Sequence, residues 1–147
     1  MPTTAAFGAP IIGQTEKALN AILDRQLAGT RLTAPQWLTL SLTVFSGGTV
    51  DRDELGARVA SALKVSEADA HARIAELAAA ELVDAPDGSG STVGLTDAGH
   101  QLHVRIRTTV TEITDRLWGD LPAEDLATAG RVLGTVLARA NEELAGP

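Results

Sequence analysis

Apolar residues return at intervals of four, four, three and four along Leu102, Ile106, Val110, Ile113 and Leu117. That rhythm is the a/d-like seam of a helix of roughly four turns or more, and a stripe of that length calls for a partner helix. Two further stretches share the helical period. Ile11, Ile12, Leu19, Ile22 and Leu23 form one face near the start, and Leu126, Leu133, Val136, Leu137 and Leu144 form another after Pro122, a residue suited to opening a helix. A chain of 147 residues fits one compact domain. Long apolar stripes at both ends of so small a chain would expose more apolar area than a monomer usually shows, so association with a second copy is expected.

Between these end helices the pattern shortens. Gly29 is a plausible helix stop. Thr33 can cap a second helix that tolerates Pro35 in its first turn, and Trp37, Leu38, Leu40, Leu42, Val44 and Phe45 make that helix apolar nearly all round, predicting a central, buried element ended by Gly47-Gly48. Asp51 with Glu54 has capping-box spacing ahead of Leu55, Val59 and Leu63, and after a turn at Lys64-Val65, Ser66 with Asp69 repeats the signal ahead of Ala70, Ile74, Leu77 and Ala78. Two short helices joined by a tight turn are a helix-turn-helix candidate. Leu82-Val83 reads as a short strand, Pro86 to Ser91 as a turn, and Thr92 to Leu95 as the returning strand, so a β-hairpin is expected directly behind the helix pair. Thr96 can then cap the seam-bearing helix.

Composition narrows the chemistry. With no cysteine, disulfides, thiolate nucleophiles and cysteine-bound zinc are excluded. Ser41, Ser46, Ser61 and Ser66 lack a neighbouring His and Asp pattern or a nucleophile elbow, and no Gly-rich phosphate loop follows a strand, so no enzyme and no cofactor is expected. His100 and His103 are three apart but lack an identifiable third ligand, and they read as pocket-lining or surface histidines rather than a metal site. Residues 1–10 lack the basic and apolar regions of a signal peptide, and no stretch approaches the ~20 apolar residues needed to cross a bilayer. The chain is therefore expected in the cytoplasm, with no membrane partner.

The order of these parts resembles the MarR family of winged helix-turn-helix transcriptional regulators. Leu55-Gly56-Ala57-Arg58-Val59 resembles the family's first motif helix, and Ile74-Ala75-Glu76-Leu77 running to Leu82-Val83 resembles its recognition helix. Val93-Gly94-Leu95-Thr96-Asp97-Ala98-Gly99 is similar to its wing exit, where Leu95 would plug the core, Thr96 cap a helix and Gly99 permit close approach. Leu121-Pro122-Ala123-Glu124-Asp125-Leu126 resembles the opening of its last helix. The resemblance implies a mostly α fold with a small β-hairpin wing. It partitions the chain into a flexible lead at 1–9 and a single domain at 10–147, with a lobe at 33–96 and dimerisation helices at 10–32 and 97–145. It further implies a homodimer on a pseudo-palindromic double-stranded DNA site, acting most often as a repressor that is released by a small aromatic or acidic ligand.

By the same analogy Arg52, Arg58 and Lys64 are candidate phosphate contacts, with ordinary solvated charge as the alternative. Beyond the Ser66 cap, the outward positions would be Glu67, Ala68, Asp69, His71, Ala72 and Glu76. Ala68 or Ala72 can meet a thymine methyl, Asp69 or Glu76 can accept from a cytosine amino group, and His71 is the one positive-capable reader. Arg73 is expected either at DNA or paired with Glu76 or Asp69. In the wing Ser89 stands where the family carries Arg; Ser89 and Ser91 can hydrogen-bond a phosphate without supplying charge. Trp37, His103 and Arg107 are the candidate ligand residues, an aromatic wall with a cation for a carboxylate, against a packing role for Trp37.

Charge runs against this picture. The whole chain has 12 Lys+Arg against 19 Asp+Glu, a net −7, and residues 49–96 carry four cations and nine acids, a net −5 in the segment that would face phosphates. A second reading follows: a MarR-like dimer with weak or lost DNA affinity that serves as a ligand-binding or protein-interaction module.

Overall fold

A computed structural model describes residues 5–86 and 91–146. In chain order the elements are α1 (Ala9–Leu27), α2 (Ala34–Phe45), β1 (Thr49–Asp51), α3 (Arg52–Leu63), α4 (Glu67–Ala79), β2 (Val83–Asp84), β3 (Thr92–Leu95), α5 (Asp97–Trp118) and α6 (Ala123–Ala145). The chain divides into two compact units, residues 1–110 and 111–147, and α5 passes from the first into the second.

In the first unit α2, α3 and α4 pack on one another around Leu40, Leu55, Val59, Ile74 and Leu77, which are fully buried together with Val93 of the sheet. Thr33 starts α2 with a full capping box: its Oγ1 accepts from the Gln36 N–H at 3.4 Å while the Gln36 Oε1 accepts from the Thr33 N–H at 3.0 Å. The expectation that α2 is buried nearly all round needs correction. Phe45 is 65% exposed, Trp37, Leu38, Leu42 and Val44 are half-buried, and three of its four buried residues are Thr39, Ser41 and Thr43. The threonines tolerate burial because each hydroxyl donates one turn back along the helix, Thr39 to the Pro35 carbonyl and Thr43 to the Thr39 carbonyl, both at 2.9 Å.

The turn between α3 and α4 is set by backbone conformation and a cap. Lys64 takes the left-handed conformation at φ 59°, and the Ser66 Oγ accepts from the Asp69 N–H at 3.1 Å, as Asp51 Oδ2 accepts from the Glu54 N–H at 3.0 Å at the start of α3.

The sheet is antiparallel in the order β1-β3-β2, pairing Val50 with Val93 and Val83 with Leu95. β1 was not expected, because three residues are too few to show alternation. The strand before the wing begins one residue later than predicted, at Val83; just ahead of it the Leu82 carbonyl accepts from Thr96, by its N–H at 3.2 Å and its Oγ1 at 2.9 Å, in line with the β2–β3 pairing. Thr96 Oγ1 also accepts from the Gly99 N–H at 3.0 Å, so one hydroxyl caps α5 and ties it to the chain leaving α4.

In the second unit, Ile113 is buried and Trp118, just before the corner into α6, is 41% exposed. Pro122 precedes the first turn of α6, as predicted. Every described residue of α6 is exposed except the half-buried Leu126, including Leu133, Val136, Leu137 and Leu144 of the apolar face read from the sequence, together with Val132.

Candidate reading helix and aromatic cluster

The first turn of α4 is open to solvent at Ser66, Glu67, Ala68 and Asp69, with Ala72 half-buried one turn on. His71 does not join them. Its imidazole turns back against α3 and fills the space above Gly56, where an added Cβ would lie 2.7 Å from the His71 Nε2, and the same nitrogen is 4.0 Å from Asp53 Oδ1. Its expected place as the outward, positive-capable reader is therefore corrected: the missing Cβ at Gly56 gives the ring a seat on the neighbouring helix.

The lobe arginines Arg52, Arg58 and Arg73 are held by protein groups. Arg58 Nη2 donates to Glu54 Oε1 at 2.6 Å and its Nη1 to the Ser46 Oγ at 3.1 Å. Arg73 Nη2 donates to Glu76 Oε2 at 2.9 Å, with Nε 2.8 Å from Oε1 but off the line of a hydrogen bond, so the pairing with Glu76 prevails over an outward pose. Arg52 reaches the base of the wing, where Nη1 donates to the Ala85 and Pro86 carbonyls at 3.3 Å each while its own N–H donates to the Ser91 carbonyl at 2.9 Å. Lys64 is exposed in the turn, Ser91 is half-buried, and Ser89 lies outside the described residues. Exposed ion pairs of this kind are worth only about 0–1 kcal/mol, so an arriving phosphate can compete for Arg58. The basic strip is not preassembled.

Glu76 is held from a second side. The Gln36 Nε2 donates to Glu76 Oε1 at 2.8 Å, and this bond, followed by the pairing with Arg73, keeps the Glu76 carboxyl below its usual range.

The three ligand candidates meet on the other side of α2. The Trp37 and His103 rings stack at 4.8 Å and 18°, Phe45 meets His103 edge-on at 5.9 Å, and the Arg107 guanidinium lies 5.6 Å from the centre of the Phe45 ring. His103 is 2% exposed and its Nε2 has no hydrogen-bond partner, whereas Phe45 at the edge of the cluster is open to solvent. Burial, then Arg107 and His100, push the His103 imidazole below its ordinary value and keep it neutral. Phe45 was missing from the sequence reading of the site; its place eight residues after Trp37 on one helix was the available signal. His100 and His103 do not gather a metal set, and no group of three or more His, Cys, Asp or Glu suited to a metal occurs among the described residues.

A helix-turn-helix followed by a small antiparallel sheet and two long helices can be compared with known proteins. No family model and no curated protein sequence matches the chain. Solved structures do. A MarR family transcriptional regulator from Silicibacter pomeroyi superposes with a TM-score of 0.77 at 20% identity, over 92% of this chain and 90% of that one. The chain has the MarR-family fold. Two other similar structures were solved with ligands. NadR in complex with 4-hydroxyphenylacetate matches at TM-score 0.71 and 24% identity, over 93% of this chain and 98% of NadR. CouR from Rhodococcus jostii bound to p-coumaroyl-CoA matches at TM-score 0.74 and 15% identity, over 86% and 89% of the two chains.

Proposed function

We propose that this chain is a MarR-type, DNA-binding transcriptional regulator of the cytoplasm, not an enzyme, that works as a homodimer and represses. The observation that carries the reading is the uncovered first turn of α4, with Ala68 and Asp69 exposed in a MarR fold. An exposed helix start offers N–H groups to a phosphate, and Ala68, Asp69 and Ala72 offer a methyl, an acceptor and a methyl to base edges. Dimerisation is supported by the apolar side chains that α6 leaves in water, where Val132 with Val136 and Leu133 with Leu137 stand one turn apart on one side. Bound to its site, such a dimer lies across a promoter and excludes the polymerase.

The Trp37, Phe45, His103 and Arg107 cluster is the proposed effector site. Stacked rings suit a planar aromatic molecule, the His103 Nε2 offers an unused hydrogen-bonding position, and Arg107 offers charge to a carboxylate. The ligands of NadR and CouR, 4-hydroxyphenylacetate and p-coumaroyl-CoA, agree in aromatic character. An effector that binds the form with the wrong lobe spacing for DNA shifts the population away from it and lifts repression.

A specific observation also favours the second reading. The lobe carries a net −5 and its arginines are engaged with acids and carbonyls. A polarisation titration of labelled genomic fragments at low and at physiological salt separates the two. The regulator reading expects saturable binding that weakens steeply with salt and is reversed by an aromatic carboxylate. Binding no stronger than that of an acidic control protein at every salt concentration would replace it with the interaction module.

A further inference from the structure

The Gln36 amide is bonded at both ends to different elements. Its carbonyl end accepts the Thr33 N–H at 3.0 Å and so completes the cap of α2, while its NH2 end donates to Glu76 on α4 at 2.8 Å. Gln36 and Glu76 are 40 residues apart, and the link is a direct side-chain bond between the first turn of α2 and α4. Glu76 in turn is fixed by Arg73 on its own helix at 2.9 Å. The next residue along α2 is Trp37, whose N–H donates to the Thr33 carbonyl at 2.9 Å within the same turn and whose ring stacks on His103 at 4.8 Å.

We propose that Gln36 is the coupling residue of this protein, transmitting displacement of the Trp37 ring to α4 through the Gln36–Glu76 bond. The physical reason is the planarity of a primary amide. With one end held by the cap and the other by a carboxylate, the turn cannot shift without drawing Glu76 along or breaking a bond. Trp37 and Gln36 sit about 100° apart around the helix, so one faces the rings on α5 and the other faces α4. Anything that enters beside His103 and moves the indole acts on the very turn that holds the amide. Glu76 is accordingly a relay that positions α4, with both its oxygens engaged, instead of a base reader. The regulatory use of this coupling rests on the function proposed above; the mechanical link between the two helices does not.

Amide hydrogen exchange on the full-length chain tests it without DNA or ligand. Trp37→Phe perturbs the ring, and Gln36→Glu keeps an oxygen to accept the Thr33 N–H but removes the NH2 that donates to Glu76. In the chain that retains Gln36, Trp37→Phe is expected to accelerate exchange across residues 74–79 by about threefold or more relative to residues 55–59 of α3. In the Gln36→Glu background the same ring change should leave that ratio unaltered, and Gln36→Met, which adds no charge, should behave alike. An equal response with and without Gln36, a rise shared by 55–59, or a difference between the Glu and Met variants would each overturn the coupling. A chain that transmits the ring change but binds no DNA would sink the regulator reading and leave the coupling standing.

Discussion

A Cβ placed on Gly99 would stand 2.1 Å from the carbonyl oxygen of Leu82, so the start of α5 rests directly on the backbone that leaves α4. The atom in the way belongs to the main chain and cannot rotate aside. Gly99→Ala is expected to lose about 3 kcal/mol of stability, despite the better helix propensity of alanine, as read by chemical denaturation.

Gly56→Ala provides the contrast. The added methyl meets the imidazole of His71, a side chain that can swing outward. Stability is expected to change by no more than about 1 kcal/mol, while the His71 ring leaves α3 and its distance from Asp53 grows. Histidine chemical shifts in the variant would register the move, and an unchanged His71 environment would contradict it.

The Thr96 hydroxyl both accepts the Gly99 N–H at 3.0 Å and donates to the Leu82 carbonyl at 2.9 Å. The same hydroxyl also lies 2.8 Å, oxygen to oxygen, from the Glu81 carbonyl, and Thr96→Val keeps the shape and removes all three contacts. A loss of about 1–2 kcal/mol in thermal or chemical unfolding is expected, with exchange at the first turn of α5 rising first.

His103 sets a pH dependence with a definite sign. Its folded-state pKa lies below the ordinary 6.5, so in the window between the two values the unfolded chain binds more protons than the folded one. Stability is fully present above that window and falls as pH drops through 6.5 toward the folded pKa, levelling below it. Glu76, lowered from 4.5, adds a loss only at more acid pH. His103→Leu should flatten the unfolding midpoint between about pH 7.5 and 5 and leave the acid limb in place.

Association is testable on α6. Leu133 and Leu137 are 45% and 58% exposed in the single chain and lie one turn apart. Leu133→Glu combined with Leu137→Glu should convert a dimer into single subunits in sedimentation at micromolar protein, because buried like charges oppose pairing. An unaltered dimer would remove α6 from the interface.

What could be read in the sequence was local. Thr96 and Gly99 announced a cap and a close approach through spacing alone, and Thr33, Asp51 and Ser66 all cap the helices predicted from them. The site was harder for a reason of distance. Trp37, His103 and Arg107 were recognisable as residue types, but Phe45 joins them only because a helix carries it back to His103. The Gln36 bond to Glu76 spans 40 positions and follows no periodicity. His71 was placed outward by analogy because a bare Gly56 on another helix, which gives the ring its seat, leaves no mark at position 71. β1 was too short to announce itself, and it exists because β3 offers it an edge.

The chain contains two tryptophans and no tyrosine, and they lie in different settings: Trp37 is stacked on an imidazole and Trp118 stands in water. The stacked indole is thus a built-in optical reporter. With Trp118→Phe silencing the other emitter, the remaining fluorescence would follow both the filling of the space beside His103 and the charge on its ring, since an imidazolium quenches indole more strongly than neutral imidazole. Screening small molecules against this protein would then require no label.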